Sequence, residues 1–131
     1  METIDVVLPK RTAAATAPSA AGMLALYPSL KDRNVIITGG GSGIGATIVE
    51  SFARQGSHVT FLDIAETESR ALERSLASLA AKPRFVPCDL TDLARVKEAM
   101  ARIASESGPA HVLVNNAAND DRHAFEDVTP E

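Results

Sequence analysis

The sequence has no tryptophan, one tyrosine and one cysteine, and aromatic residues make up only 4% of its 131 residues. The lone cysteine, Cys88, excludes an intrachain disulfide and fits a reducing compartment, so a cytoplasmic location is expected. No apolar run approaches the length that spans a bilayer. Basic residues do not dominate: 13 Lys and Arg face 17 Asp and Glu, a net charge of −4. No basic stripe is visible, so nucleic acid is not an expected partner. No metal site is expected either.

What is present is an ordinary globular balance of 45% apolar and 23% charged residues. The length fits one domain with a workable core. Residues 1–22, "METIDVVLPKRTAAATAPSAAG", are rich in Ala, Thr and Pro and lack periodicity. Glu2 and Asp5 lead where a secretory signal would carry basic residues. A disordered extension is therefore expected over 1–26, with Met23 as a second candidate start. The organised domain is expected over 27–131.

From Lys31 onward the pattern alternates. "NVIIT" (34–38), "HVTFLD" (58–63), "RFVPCD" (84–89) and "HVLVNN" (111–116) read as strands. Pro87 marks a strand end or a sheet edge. Between them lie helical segments. "GIGATIVESFARQG" (43–56) carries Ile44, Ile48 and Phe52 at helical spacing and Gly56 as a C-terminal stop. Residues 65–82 place Leu72, Leu76 and Leu79 on one face. A third helix, with Thr91 as its expected cap, carries Leu93, Val96, Met100 and Ile103. Alternating strands and helices predict a parallel Rossmann-type α/β sheet with helices on both faces. The strands lack apolar/polar alternation, as expected when both faces are covered. The expected order is 3-2-1-4, a part of the full doubly wound sheet.

"TGGGSGIG" (38–45) falls between the first strand and the first helix. Glycines there permit a tight turn and let backbone approach a pyrophosphate. The helix N-terminus adds unpaired N–H groups and partial positive charge. Gly39 would start the turn, Ser42, Gly43 and Ile44 would lie along the phosphates, and Gly45 would let the helix pack closely. The alternative is a flexible loop without a ligand. Asp63 ends the second strand, 24 residues after Gly39, near the spacing of an acid that accepts from the adenosine ribose. Ile64 beside it belongs to the same expected site. A carboxylate there would repel a 2′-phosphate, and no Lys or Arg adjoins it, so NAD is expected over NADP. A helix-capping role is the alternative for Asp63. Asp89 could accept from the adenine amino group while Leu90 covers the ring, or Asp89 could serve only as a turn residue. Cys88 reads as a small buried hydrophobe.

Together TGGGSGIG, Asp63, Cys88-Asp89-Leu90 and "NNAA" (115–118) resemble the short-chain dehydrogenase/reductase family from about Tyr27 to the end. The resemblance implies an NAD-dependent oxidoreductase, homo-oligomeric when complete. It implies that Asn116 and Ala117 contact the nicotinamide-side ribose, with Asn115 structural. Ala118 departs from the Gly usual there. "YPSLKDRNVIITGGGSGIGA", "FARQG", "FLDIA" and "NNAANDDRH" look like the bacterial sugar dehydrogenases of that family. Those oxidise the anomeric carbon of an aldose such as D-xylose. On that resemblance Asn119 and Asp120 would line the substrate pocket, the alternative being a solvated loop. His123 reads as a surface histidine.

The family's catalytic Tyr-x-x-x-Lys acts from one helix face, with a serine that polarises the substrate. The only tyrosine here stands in Tyr27-Pro28-Ser29-Leu30-Lys31. Pro28 disfavours helix at Tyr27, and the string precedes the first strand, so it is a decoy. No catalytic residue is assigned within the chain. Thr129, Pro130 and Glu131 open a helix, so a fragment of a longer reading frame is expected, inactive alone. A stand-alone dinucleotide-binding module or pseudoenzyme is the alternative. A methyltransferase shares the early layout but not the TGxxxGIG and NNAA elements.

Overall fold

The computed structural model describes residues 25–118. The expected extension therefore falls almost wholly outside the described residues, as do Asn119, Asp120, His123 and the helix start at 129–131.

Four strands form one sheet: β1 (Asn34–Thr38), β2 (His58–Asp63), β3 (Arg84–Pro87) and β4 (Val112–Asn115). Their order is β3-β2-β1-β4, and every pairing is parallel. Three helices make the crossovers: α1 (Gly43–Arg54), α2 (Glu66–Ser75) and α3 (Leu93–Ser107). The first two connections move the chain outward from β1 to β2 to β3. The third returns it across the sheet to the other side of β1. Right-handed crossovers then put α3 on the opposite face from α1 and α2. Connections diverge between β1 and β4, and a crevice opens there at the carboxyl ends of the strands.

Successive residues of β1 face opposite ways, and both faces are covered. Val35, Ile37, Val59, Phe61 and Phe85 pack with Val49 and Ala53 of α1. Ile36, Leu62 and Val86 pack with Ala99 and Ile103 of α3. This accounts for the unbroken apolar runs in the sequence. Pro87 ends β3, which lies at a sheet edge where its missing N–H costs no ladder bond. At the other edge β4 pairs only with β1 among the described residues, and Leu113 is half exposed.

Several boundaries differ from the sequence reading. α2 stops at Ser75, and residues 76–81 form turns closed by short bonds such as Leu79 N–H to Leu76 O, 3.1 Å. Leu76 and Leu79 still reach the first cluster, so packing overrides the helical propensity of the segment. α1 is capped at Gln55, with Gly56 just beyond at φ 79°. Ile44 and Leu93, in the first turns of α1 and α3, are exposed and do not join the core stripes expected of them. Thr91 does not cap α3. Its hydroxyl donates instead to Asp89 Oδ1 at 2.7 Å. Asp92 takes the cap, its Oδ1 accepting from Ala94 N–H at 3.0 Å and Arg95 N–H at 3.1 Å. Asp92→Ala should cost about 1 kcal/mol of stability, read as a lower urea midpoint at unchanged slope.

Candidate functional site

The segment after β1 turns sharply. Gly39 adopts φ 67° and donates its N–H to Leu62 O at 2.8 Å. A Cβ on Gly39 would lie 2.8 Å from Ala117 Cα, so a side chain is excluded by space as well as by dihedral. Gly45, in the first turn of α1, is tighter still. A Cβ there would stand 1.8 Å from Gly39 O. Helix and loop touch backbone to backbone, which brings the start of α1 to the end of β1. Ser42 is the N-cap but its side chain makes no capping bond, and no acid lies in the first turn. The amides there keep their donor capacity and the partial positive charge of the helix end.

Asn116 holds this loop from the β4 side. Its Nδ2 donates to Gly39 O at 2.9 Å and to Thr38 O at 3.2 Å. In return Thr38 Oγ1 accepts from Asn116 N–H at 3.1 Å and Ala117 N–H at 3.2 Å. The bracing role expected of Asn115 thus belongs to Asn116, and the Asn115 side is exposed. The register Thr38↔Asn115 decides this, since it puts Asn116 just past the strand, beside the loop. Thr38 was not singled out in the sequence. Its signal is its position, the last strand residue before the glycines.

At the end of β2 both oxygens of Asp63 are engaged. Oδ2 accepts from Gly41 N–H at 2.8 Å, and Oδ1 accepts from Ala65 N–H at 2.9 Å. Asp63 is not the N-cap of α2, which is Ala65. At the end of β3, Asp89 Oδ1 accepts from Thr91 N–H at 2.9 Å as well as from the Thr91 hydroxyl. The Thr91 hydroxyl first, and its amide second, hold the Asp89 carboxyl below its ordinary 3.8. Asp89 therefore does form a turn. Burial pushes the Cys88 thiol up, in keeping with its place in the second core cluster.

These pieces converge on one cleft of about 570 Å³. The glycine segment contributes Gly39, Ser42, Ile44 and Gly45, and the end of β2 contributes Asp63 and Ile64. Cys88, Asp89, Leu90 and Thr91 come from the end of β3, and Asn116, Ala117 and Ala118 from the end of β4. Of the expected site residues that are described, Gly43 alone does not line it. Gly43 has φ 53° and open space around its Cα. Cys88 and Thr91 are lining residues that the sequence did not place in the site, and Ala118, the irregular member of the NNAA element, lines it too. Ala118 needs no glycine, since Asp32 is the only non-glycine with positive φ among the described residues. Among the described residues neither Lys nor Arg lines the cleft. Tyr27 lies elsewhere. It is extended and exposed, and its N–H donates to Gln55 Oε1 at the far end of α1, about 18 Å along the helix from the loop.

The model of the short chain dehydrogenase family matches residues 33–131. The chain belongs to that family. It is 55% identical over 105 residues to the D-xylose 1-dehydrogenase of Caulobacter vibrioides, covering 80% of this chain and 41% of the relative. It is 50% identical over 106 residues to the "Probable galactose dehydrogenase" of Rhizobium meliloti, with the same coverage of 80% and 41%. Among solved structures, a short chain dehydrogenase from Mycobacterium smegmatis superposes with TM-score 0.71 at 28% identity, covering 81% of this chain and 44% of that one. The aldohexose dehydrogenase of Thermoplasma acidophilum superposes with TM-score 0.64 at 33% identity, covering 79% and 36%. The chain thus spans about two-fifths of the length of the curated relatives it matches. The matched residues include every described residue that lines the cleft.

Two outcomes follow from the geometry. Asn116→Asp replaces a two-proton donor by an acceptor facing two carbonyls, so it should lower stability more than Asn116→Ala, by about 1–3 kcal/mol, in urea unfolding. Thr91→Val should let the Asp89 carboxyl titrate closer to 3.8. The bonded form of Asp89 stabilises the fold above its ordinary pKa, and that contribution fades as pH falls through the depressed one. Side-chain NMR titration of both proteins checks the shift.

Proposed function

We propose that this chain is the NAD-binding part of a short chain dehydrogenase that oxidises an aldose, such as D-xylose, at its anomeric carbon. The observation that carries the reading is the placement of Asp63. It stands at the carboxyl end of β2, in the same cleft as the uncapped start of α1, with no Lys or Arg among the described residues that line that cleft. A dinucleotide needs both features: donors for phosphate and an acceptor for ribose hydroxyls.

The amides near Ser42, Gly43 and Ile44 face the phosphates in this reading. Each Asp63 oxygen has one lone pair occupied by backbone and retains capacity for a ribose hydroxyl. The same carboxylate disfavours a 2′-phosphate by like charge. Asp89 accepts from the adenine amino group, while Leu90 and Ile64 cover the ring. Ile64 is 75% exposed, an unusual cost for an isoleucine that a stacked base would relieve. Asn116 and Ala117 stand at the nicotinamide-side ribose, with Asn119 and Asp120 toward the sugar. When bound, the nicotinamide supplies the hydride acceptor. The serine, tyrosine and lysine of the reaction come from outside this chain, which is inactive alone in this reading. The aldose assignment draws on the names of the relatives at 55% and 50% identity. A cytoplasmic homo-oligomer is proposed for the complete enzyme.

Titration of the 131-residue chain with NADH, followed by nucleotide fluorescence, should saturate, and NADPH should bind more weakly. Asp63→Ala should weaken NADH by about tenfold and narrow the difference from NADPH. An unchanged NADH/NADPH ratio would falsify the assignment of Asp63. NAD and D-xylose mixed with this chain should give no absorbance of NADH, and turnover there would sink the placement of the catalytic residues.

A further inference from the structure

Two residues behind Asp63 make no provision for a ligand of their own. Gly41 is buried, and its φ is not positive, so its backbone conformation does not call for glycine. Its surroundings do. A Cβ at Gly41 would lie 2.3 Å from Ser69 Oγ and 3.0 Å from both Cγ and Oδ2 of Asp63. The Gly41 N–H is the one that holds Asp63 Oδ2, at 2.8 Å. Ser69, in α2, is completely buried, and its hydroxyl has no hydrogen-bond partner among the described residues. An unpaired buried hydroxyl is unfavourable, and alanine would fit the same space without it. What the oxygen does occupy is the notch left by the missing side chain of Gly41.

We infer that Gly41 and Ser69 are positioning residues for nucleotide selectivity, a steric latch that fixes where the Asp63 carboxylate points. Ser69 Oγ closes the space above Gly41 Cα and keeps the loop pressed toward the end of β2. The Gly41 N–H is thereby held within bonding distance of Oδ2, while Ala65 N–H holds Oδ1 from the chain beyond. Two donors on one carboxylate leave it a single orientation. A methyl group at position 41 meets Ser69 Oγ first, so the loop must lift away and the bond to Asp63 goes with it. A carboxylate freed on one side swings, and both its attraction for a ribose hydroxyl and its repulsion of a 2′-phosphate weaken. Neither Gly41 nor Ser69 lines the cleft, so the effect acts through Asp63 alone.

The inference rests on the reading that Asp63 faces the ribose, and the test separates the two. NADH and NADPH affinities are measured by fluorescence titration for the 131-residue chain and for Asp63→Ala, Gly41→Ala and Gly41→Ala/Ser69→Ala, with thermal unfolding by circular dichroism alongside. Gly41→Ala should lower the NADH/NADPH affinity ratio by about tenfold, as for loss of a charge-assisted bond. Removing one oxygen atom, in the double variant, should restore most of that ratio, because the methyl group can then occupy the notch. A merely structural role would change the unfolding temperature without moving the ratio. If Asp63→Ala shifts the ratio while Gly41→Ala does not, or while the double variant stays as low as the single, the latch is wrong and the ribose reading stands. If Asp63→Ala leaves the ratio unchanged, both fall. Should Gly41→Ala fail to fold, the double variant must fold and prefer NADH, and its failure to do so overturns the latch.

Discussion

The hydrogen bonds between Asn116 and the loop after β1 are what the rest of the site depends on. The Thr38 and Gly39 carbonyls sit where the chain leaves the sheet, in partly buried residues. Both accept from the same Asn116 amide, and Thr38 Oγ1 takes two amides back. Partners 77 and 78 residues apart in the chain are thereby tied. Leaving such carbonyls unpaired would cost about 1–3 kcal/mol each. The β1–β4 register makes the tie possible, because a slip of one residue would turn every β4 side chain to the other face. Gly45 is then confined as well, since its Cα faces the same Gly39 carbonyl that Asn116 holds. Loop, helix start and strand end behave as one block.

That block lets the site present opposite hydrogen-bonding characters a short distance apart. On the α1 side the amides are donors without a capping side chain or an acid in the first turn. On the β2 and β3 side, Asp63 and Asp89 are acceptors already fixed by backbone N–H groups. At Asp89 the bonds from the Thr91 hydroxyl and amide also favour the charged form, lowering its pKa. The cleft is therefore ordered before any ligand arrives, so binding costs little side-chain entropy. Exposed Ile44 and Ile64 supply apolar surface at its rim.

Much of this was legible because it is local. Strands showed as β-branched runs, and the sheet order followed from the alternation of strand and helix together with the handedness of crossovers. The glycine segment and Asp63 were readable from their place at strand ends. What escaped depended on distant contacts. Whether Asn115 or Asn116 braces the loop is a matter of parity, set by a strand pairing across the chain. Thr91 and Asp92 are both good caps, and only the competing bond from Thr91 to Asp89 decides between them. The end of α2 is fixed by where Leu76 and Leu79 find the core, not by their helical propensity. Ser69 looks like any polar residue on a helix, and its burial against Gly41 has no signature in sequence.

The division of labour within the short chain dehydrogenase fold follows from the same geometry. Contacts to phosphate and adenosine are equal before and during hydride transfer, so they hold the cofactor without distinguishing one sugar from another. The 55% identity to a D-xylose 1-dehydrogenase covers 41% of that relative. Choice of sugar must come from groups that meet its hydroxyls, and a site built to bond each hydroxyl rejects an analogue lacking one.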